Sequence, residues 1–221
     1  MAIPKICGIE TEYAIIQPKL SEQNPIHASS VLVNAYAKQA ESSTNGGVAY
    51  TVEWDFNDET PGNDARGLAP IGSLPPLVET HLVNAVLENG ARFYVDHAHP
   101  EISTPECIDA LQVVKYDRSG ERILELAMSV ANETLSPEEE IVVYKDNSDG
   151  KGNSYGCHEN YLVDRLTPFG EIITHATTHF ITRQIFTGSG KIGIEATGVD
   201  PNSIKYQLTP VSYTHLRAHE T

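Results

Sequence analysis

An α+β fold is what this sequence predicts, and three observations carry that reading. Segments with a two-residue hydrophobic alternation stand beside segments with a helical period. The breaks between them are short and rich in Gly, Asn, Asp and Pro. The connections read as local hairpins rather than as a regular strand–helix–strand alternation, which favours α+β over α/β. No internal repeat is visible. The 221 residues are 40% hydrophobic and 20% charged, enough for one domain with a sizeable core.

Lys5 to Ile15 reads as the first strand, with Glu10 and Glu12 sharing a face with Gly8 and Ala14, and Ile9 and Ile15 opposite. Ala28 to Ala40 reads as a short helix opened by Ser29 or Ser30. Residues 41–76 form a long polar stretch of Ser, Asn, Asp, Gly and Pro, of the kind that is functional or disordered inside a compact domain. Leu77 to Glu88 reads as a helix stopped by Gly90, and Arg92 to His97 as a strand. Thr104-Pro105-Glu106 has the layout of a helix start, with a hydroxyl cap, proline at the first position and an acid at the positive dipole end. That helix is expected to reach about Tyr116 and break at Gly120, with a second helix from Glu121 to Asn132. Glu140 to Lys145, Tyr155 to Leu162 and Lys191 to Glu195 read as further strands, and Asp146 to Asn153 as a turn. Residues 210–221 continue no pattern and read as a non-native tail, leaving 1–209 as the folded part.

Composition removes several function classes. The formal net charge is −15; nucleic-acid binding needs a basic surface and is not expected. The acidic excess serves either plain solubility or, in part, a divalent cation site. No stretch of about 18 apolar residues is present, so no membrane span is expected. Met1 to Lys5 lacks the layout of a secretory signal. Cys7, Cys107 and Cys157 are far apart, which points to a reducing, cytoplasmic setting and away from a zinc-thiolate site.

The densest chemistry lies between Asn89 and Cys107. On a strand over Arg92 to His97, Arg92, Tyr94 and Asp96 project together, followed by His97, His99 and Glu101. Such groups suit a phosphate, a metal and a reacting carbonyl better than a core. Glu10 and Glu12, roughly 6–7 Å apart on one strand face, repel unless a cation or a basic side chain lies between them. Oxygen donors favour Mg²⁺ or Mn²⁺ over zinc. Asp96 is either a nucleophile or general base, or the salt-bridge partner of Arg92; Arg92 otherwise suits a phosphate. Cys107 near a helix start is either a thiol of lowered pKa or a packing residue. Asp149-Gly150-Lys151-Gly152 lacks the spacing of a phosphate loop. His158, Glu159 and Asn160 follow on a strand, and Thr187 to Lys191 is a glycine-rich turn near Arg183.

Together these pieces resemble the pupylation enzymes, a branch of the glutamine-synthetase-like carboxylate–amine ligases. The matching segments are Gly8-Ile9-Glu10-Thr11-Glu12-Tyr13, Arg92-Phe93-Tyr94-Val95-Asp96, His99-Pro100-Glu101, Ser103-Thr104-Pro105-Glu106-Cys107, Lys145 to Gly152, His158-Glu159-Asn160-Tyr161 and Thr182 to Gly188. They occur in family order across nearly all of residues 3–209. Asp96-His97-Ala98-His99-Pro100 and the polar stretch with Glu53-Trp54-Asp55-Phe56 and Asp64-Ala65-Arg66-Gly67 resemble the deamidase/depupylase branch rather than the ligase branch.

The resemblance implies a curved antiparallel sheet with helices, incomplete at its C-terminal end. It implies Mg²⁺ held by Glu10, Tyr94, Glu101 and His158, and ATP contacted by Arg92, Thr104, Glu12 and Arg183, without consumption at each turnover. It implies Asp96 as the catalytic carboxylate. The implied partners are Pup and pupylated proteins, and the implied reaction is hydrolysis of an amide at the C-terminal residue of Pup. The alternatives are the sister Pup ligase and a non-catalytic remnant that binds nucleotide or Pup. Family members are roughly twice this length, so the chain alone is expected to be inactive and poorly stable.

Overall fold

The computed structural model describes residues 5–43, 50–51, 83–96, 98–147, 155–193, 200 and 202–208. They fall into two units, one made of residues 4–145 and 156–161 and the other of residues 1–3, 146–155 and 162–221. Most of the polar stretch 41–76, residues 77–82, His97, residues 148–154 and the tail 210–221 lie outside the described residues.

The first unit is built on strands β1 (Cys7–Glu12), β2 (Ala14–Ile16), β3 (Tyr50–Thr51), β4 (Asn84–Val86), β5 (Arg92–Asp96), β6 (His99–Ser103), β7 (Val142–Tyr144) and β8 (Cys157–Tyr161). Six of them form one sheet in the order β3-β4-β5-β6-β1-β8, with every pairing antiparallel. β2 and β7 make a separate ladder. The expected first strand is therefore two, because at Tyr13 the chain leaves β1 and its N–H bonds Pro100 O at 3.0 Å. This mixed, antiparallel architecture is the predicted α+β class.

Two helices cover one face of the sheet. Helix α1 spans Pro25–Ser43 and α2 spans Ala110–Thr134. α1 starts earlier than the serines suggested: Asn24 caps it, with its Oδ1 accepting from His27 N at 3.0 Å and its carbonyl from Ala28 N, and Pro25 fills the first turn, where a missing N–H costs nothing. Ser29 and Ser30 are buried inside it. Ser29 Oγ donates to Ala98 O at 3.0 Å and so ties the helix to the β5–β6 link. Ala98 has φ of 74°, a left-handed conformation that costs a side-chain-bearing residue roughly 1–2 kcal/mol.

Four expectations for this region are corrected. Asn84–Val86 is a strand rather than the end of a helix. Leu87 N donates to Ala91 O at 2.8 Å, Gly90 N donates to Leu87 O at 2.9 Å, and Gly90 has φ of 85°; this is a three-residue hairpin loop with glycine in the left-handed position. Thr104-Pro105 does not open a helix. Asp109 does, accepting from Gln112 N at 2.8 Å, and one unbroken helix runs from Ala110 to Thr134. Gly120 is inside that helix and buried; a Cβ there would sit 3.3 Å from Ile102 Cγ2. The residue lets the helix approach the sheet rather than ending it. Cys107 is likewise not in a helix but in a bridge with Cys7, fully buried, and burial pushes its thiol pKa up rather than down.

The core lies between that sheet face and the helices. Ala85, Phe93, Val95 and Ile102 pack with Leu32 and Val33 of α1 and Leu124, Ala127 and Ala131 of α2. Tyr36 meets Phe93 edge-on, with ring centroids 6.1 Å apart. Each fully buried side chain of this size contributes about 1.5–3 kcal/mol through removal of apolar surface from water.

The second unit contains α3 (Phe169–Thr187), a helix the periodicity did not reveal, and a two-stranded ladder of β9 (Lys191–Ile192) and β10 (Tyr206–Gln207). Asn147 Nδ2 donates to Gly190 O at 2.7 Å, holding the glycine-rich turn after α3. No described helix is long and apolar enough to cross a membrane.

Candidate functional site: a polar sheet face

Register assembles the site from distant parts of the chain. Residues opposite one another in an antiparallel ladder project to the same face. Arg92 stands opposite Ser103, Ser103 opposite Glu10, and Glu10 opposite His158. The next row holds Asn84, Tyr94, Glu101 and Glu12. A third pairs Asp96 with His99. The opposite face carries Ala85, Phe93 and Ile102, which belong to the core. One sheet thus has an apolar side for the helices and a side lined with four acids, two imidazoles, a phenol and a guanidinium.

Glu10 is the hub. Its Oε1 accepts from the Tyr94 hydroxyl and from Ser103 Oγ, the latter at 3.0 Å, and its Oε2 lies 3.3 Å from His158 Nδ1. The His158 bond, more than anything else, lowers the Glu10 pKa to about 2, with the two hydroxyls adding to it against the opposing effect of burial. The same bond raises the His158 pKa. Burial, then the charges of Glu101 and Glu10, push Tyr94 far above the ordinary phenol range, so it stays a hydrogen-bond donor.

Glu101 is in the opposite situation. It is 1% exposed, and neither carboxylate oxygen has a well-formed hydrogen bond. Burial first, and then the negative charges of Glu10, Asp96 and Glu12, push its pKa up to about 9; the Tyr94 hydroxyl beside it offsets this only slightly. A buried carboxylate without a partner costs several kcal/mol if ionised. Donor atoms of Glu10, Glu101 and His158 all lie within 4.8 Å of one another. Two carboxylates and an imidazole, one carboxylate orphaned, fit a divalent cation such as Mg²⁺ or Mn²⁺, whose charge would satisfy Glu101.

The other expected residues fall around this cluster. Arg92 Nε donates to Asn84 Oδ1 at 3.2 Å, and its guanidinium lies 4.9 Å above the centre of the Tyr94 ring. Asp96 is half-buried at the end of β5. Glu12 Oε2 accepts from Gly156 N at 2.8 Å, which ties β1 to the start of β8. Thr104 Oγ1 accepts from Ile9 N at 3.0 Å; a Cβ on Gly8 would meet that oxygen at 3.2 Å, so glycine there admits the threonine. Arg183 belongs to the second unit, on α3, where its guanidinium stacks 4.5 Å from the Phe180 ring centre. Two contributors escaped the sequence reading of roles, Ser103 and Asn84, whereas His99, which that reading did single out, is buried beside the cluster. The alternation His99, Glu101, Ser103 was the signal for Ser103 once β6 is read as a strand; Asn84 is placed only by its pairing with Tyr94. Two surface grooves of about 290 and 400 Å³ are bordered by helix α1 residues such as Tyr36 and Val31 rather than by this cluster.

The sequence profile of the Pup-ligase protein family matches residues 5–212. The chain belongs to that family. Within it, a depupylase from Acidothermus cellulolyticus is 45% identical over 199 residues, covering 88% of this chain and 38% of the relative. A Pup deamidase/depupylase from Mycobacterium tuberculosis H37Rv is 45% identical over 203 residues, covering 89% of this chain and 39% of the relative. A Pup–protein ligase from a Nocardioides strain is 47% identical, but over 113 residues, 49% of this chain and 25% of the relative. The chain thus spans under half the length of these curated relatives. The crystal structure of the complex between Pup and its ligase PafA superposes with a TM-score of 0.63 over 94% of this chain and 34% of that one, at 24% identity. That likeness establishes a shared fold.

Proposed function

We propose that this chain is the N-terminal part, residues 1–209, of the catalytic domain of an ATP- and Mg²⁺-dependent amidohydrolase of the cytoplasm. It deamidates the C-terminal glutamine of Pup and cleaves the isopeptide bond between Pup and a substrate lysine. The observation that carries this reading is the extent of similarity: depupylase relatives match over 199–203 residues, whereas the ligase relatives match over 113.

In this reading Glu10, Glu101, His158 and Tyr94 hold the cation, and Arg92, Thr104, Glu12 and Arg183 contact the nucleotide. When bound, Mg²⁺ supplies positive charge for the oxygen of an amide carbonyl turning tetrahedral. The chain's own groups do the rest. Asn84 and the Tyr94 ring hold the Arg92 guanidinium in place for a phosphate. Asp96 either attacks the carbonyl carbon, expelling ammonia or the lysine amine and leaving an acyl anhydride that water then cleaves to free Asp96, or takes a proton from a water that attacks the carbonyl directly and passes it to the departing amine. In both cases the net change is uptake of one water and loss of one amine, so glutamine becomes glutamate.

The test is a chimera in which residues 5–208 replace the matching segment of the Mycobacterium tuberculosis relative. Mass spectrometry should show conversion of Pup ending in glutamine to Pup ending in glutamate, with ATP not consumed stoichiometrically, while the 221-residue chain alone is inactive. Joining of Pup to lysine without deamidation would overturn the assignment, and deamidation by the isolated chain would overturn only the expectation that it is inactive by itself.

A further inference from the structure

We propose that Ser103 is a positioning residue of the cation site, fixing which oxygen of Glu10 faces the cation. This rests on the reading of Glu10, Glu101 and His158 as cation ligands.

Ser103 occupies the centre of the row Arg92–Ser103–Glu10–His158. It is the smallest side chain in that row, yet its Oγ reaches two partners, Glu10 Oε1 at 3.0 Å and the Tyr94 hydroxyl at 3.0 Å. The terminal torsion of a glutamate is broad and close to two-fold, so a carboxylate needs outside contacts to distinguish its oxygens. Here the contacts are unequal. Oε1 receives the hydroxyls of Tyr94 and Ser103, which fill its two lone-pair directions. Oε2 is left with the 3.3 Å contact to His158 Nδ1, and His158 is one of the three residues whose donor atoms lie within 4.8 Å of one another. Ser103 therefore holds one oxygen against the sheet and leaves the other to a cation.

The two hydroxyls also constrain each other. Tyr94 has one proton, and Glu101 beside it has two buried oxygens without a well-formed hydrogen bond. With Ser103 donating to Oε1, its oxygen packs 3.0 Å from the Tyr94 hydroxyl, whose own proton goes to the same Glu10 oxygen. Without it, the phenol proton has two competing carboxylates and the Glu10 head group is free to turn. Groups that orient a metal ligand in this way typically change metal affinity 10- to 100-fold when removed.

The experiment measures Mn²⁺ binding to the 221-residue chain by the electron paramagnetic resonance signal of free Mn²⁺, with circular dichroism in chelator as the folding control. Ser103→Ala should weaken binding about 10- to 100-fold while the metal-free spectrum is unchanged, and Ser103→Thr, which keeps the hydroxyl, should stay close to the parent. In a double-mutant comparison, Ser103→Ala should add no further loss on a Glu10→Gln background. Equal Mn²⁺ affinity of the parent and Ser103→Ala, or an equal loss with and without Glu10, would overturn the role of Ser103. A parent chain that binds no Mn²⁺ would instead remove the cation-site reading on which it rests.

Discussion

Glu101 has its folded-state pKa raised to about 9 from an ordinary 4.5. Between those values the folded chain keeps a proton that the unfolded chain has released, so raising the pH favours unfolding of the metal-free protein. His158 acts in the same direction: its contribution is complete below its ordinary 6.5 and is lost as pH rises through its raised value. Glu10 acts at the other end, contributing fully above 4.5 and losing that contribution as pH falls toward 2. Urea melts in chelator should therefore show stability falling from about pH 4.5 to 9, and Glu101→Gln should flatten most of that slope. A slope unchanged in the variant would mean that Glu101 is not the buried acid. In sequence, Glu101 was legible as a ligand type, but its burial was not. Burial arises from the β5–β6–β1 register, which sequence does not supply. Ser103 and Asn84 were missed for the same reason, since neither carries charge and their roles exist only through cross-strand neighbours.

At the scale of elements, alternation exposed β1 and β5 because each is long enough to show it and has apolar residues on the second face. β4 is three residues long, and its apolar spacing merges with a helical pattern; the Asn89-Gly90 pair was the better signal. β6 contains Pro100, which argues against a central strand. The strand forms nonetheless, and the Pro100 carbonyl accepts from Tyr13 N at 3.0 Å. α2 was split at Gly120 because glycine costs about 1 kcal/mol in a helix, yet tertiary packing against Ile102 outweighs that cost. Gly120→Val should therefore overpack the α2–sheet contact and destabilise the chain by about 1–3 kcal/mol, read as a lower urea midpoint. A midpoint equal to the parent's would show that the close approach at Ile102 is not needed.

For the whole molecule, the sheet unit has its own core and carries eight of the nine expected site residues, while Arg183 belongs to the second unit. In that unit α3 buries none of its residues, with Ile181, Ile185 and Phe186 at 65%, 75% and 78% exposure. Relatives extend well beyond the matched region, with this chain covering 38–39% of the depupylases. The central claim is that the polar sheet face is the reactive wall of a Pup amidase, with Asp96 as its reacting carboxylate. Asp96→Asn in the chimera tests it most directly, with turnover of Pup–glutamine followed by mass spectrometry and nucleotide binding by fluorescence. The account predicts that turnover is abolished while nucleotide affinity stays close to the parent's; turnover at the parent's rate would contradict it.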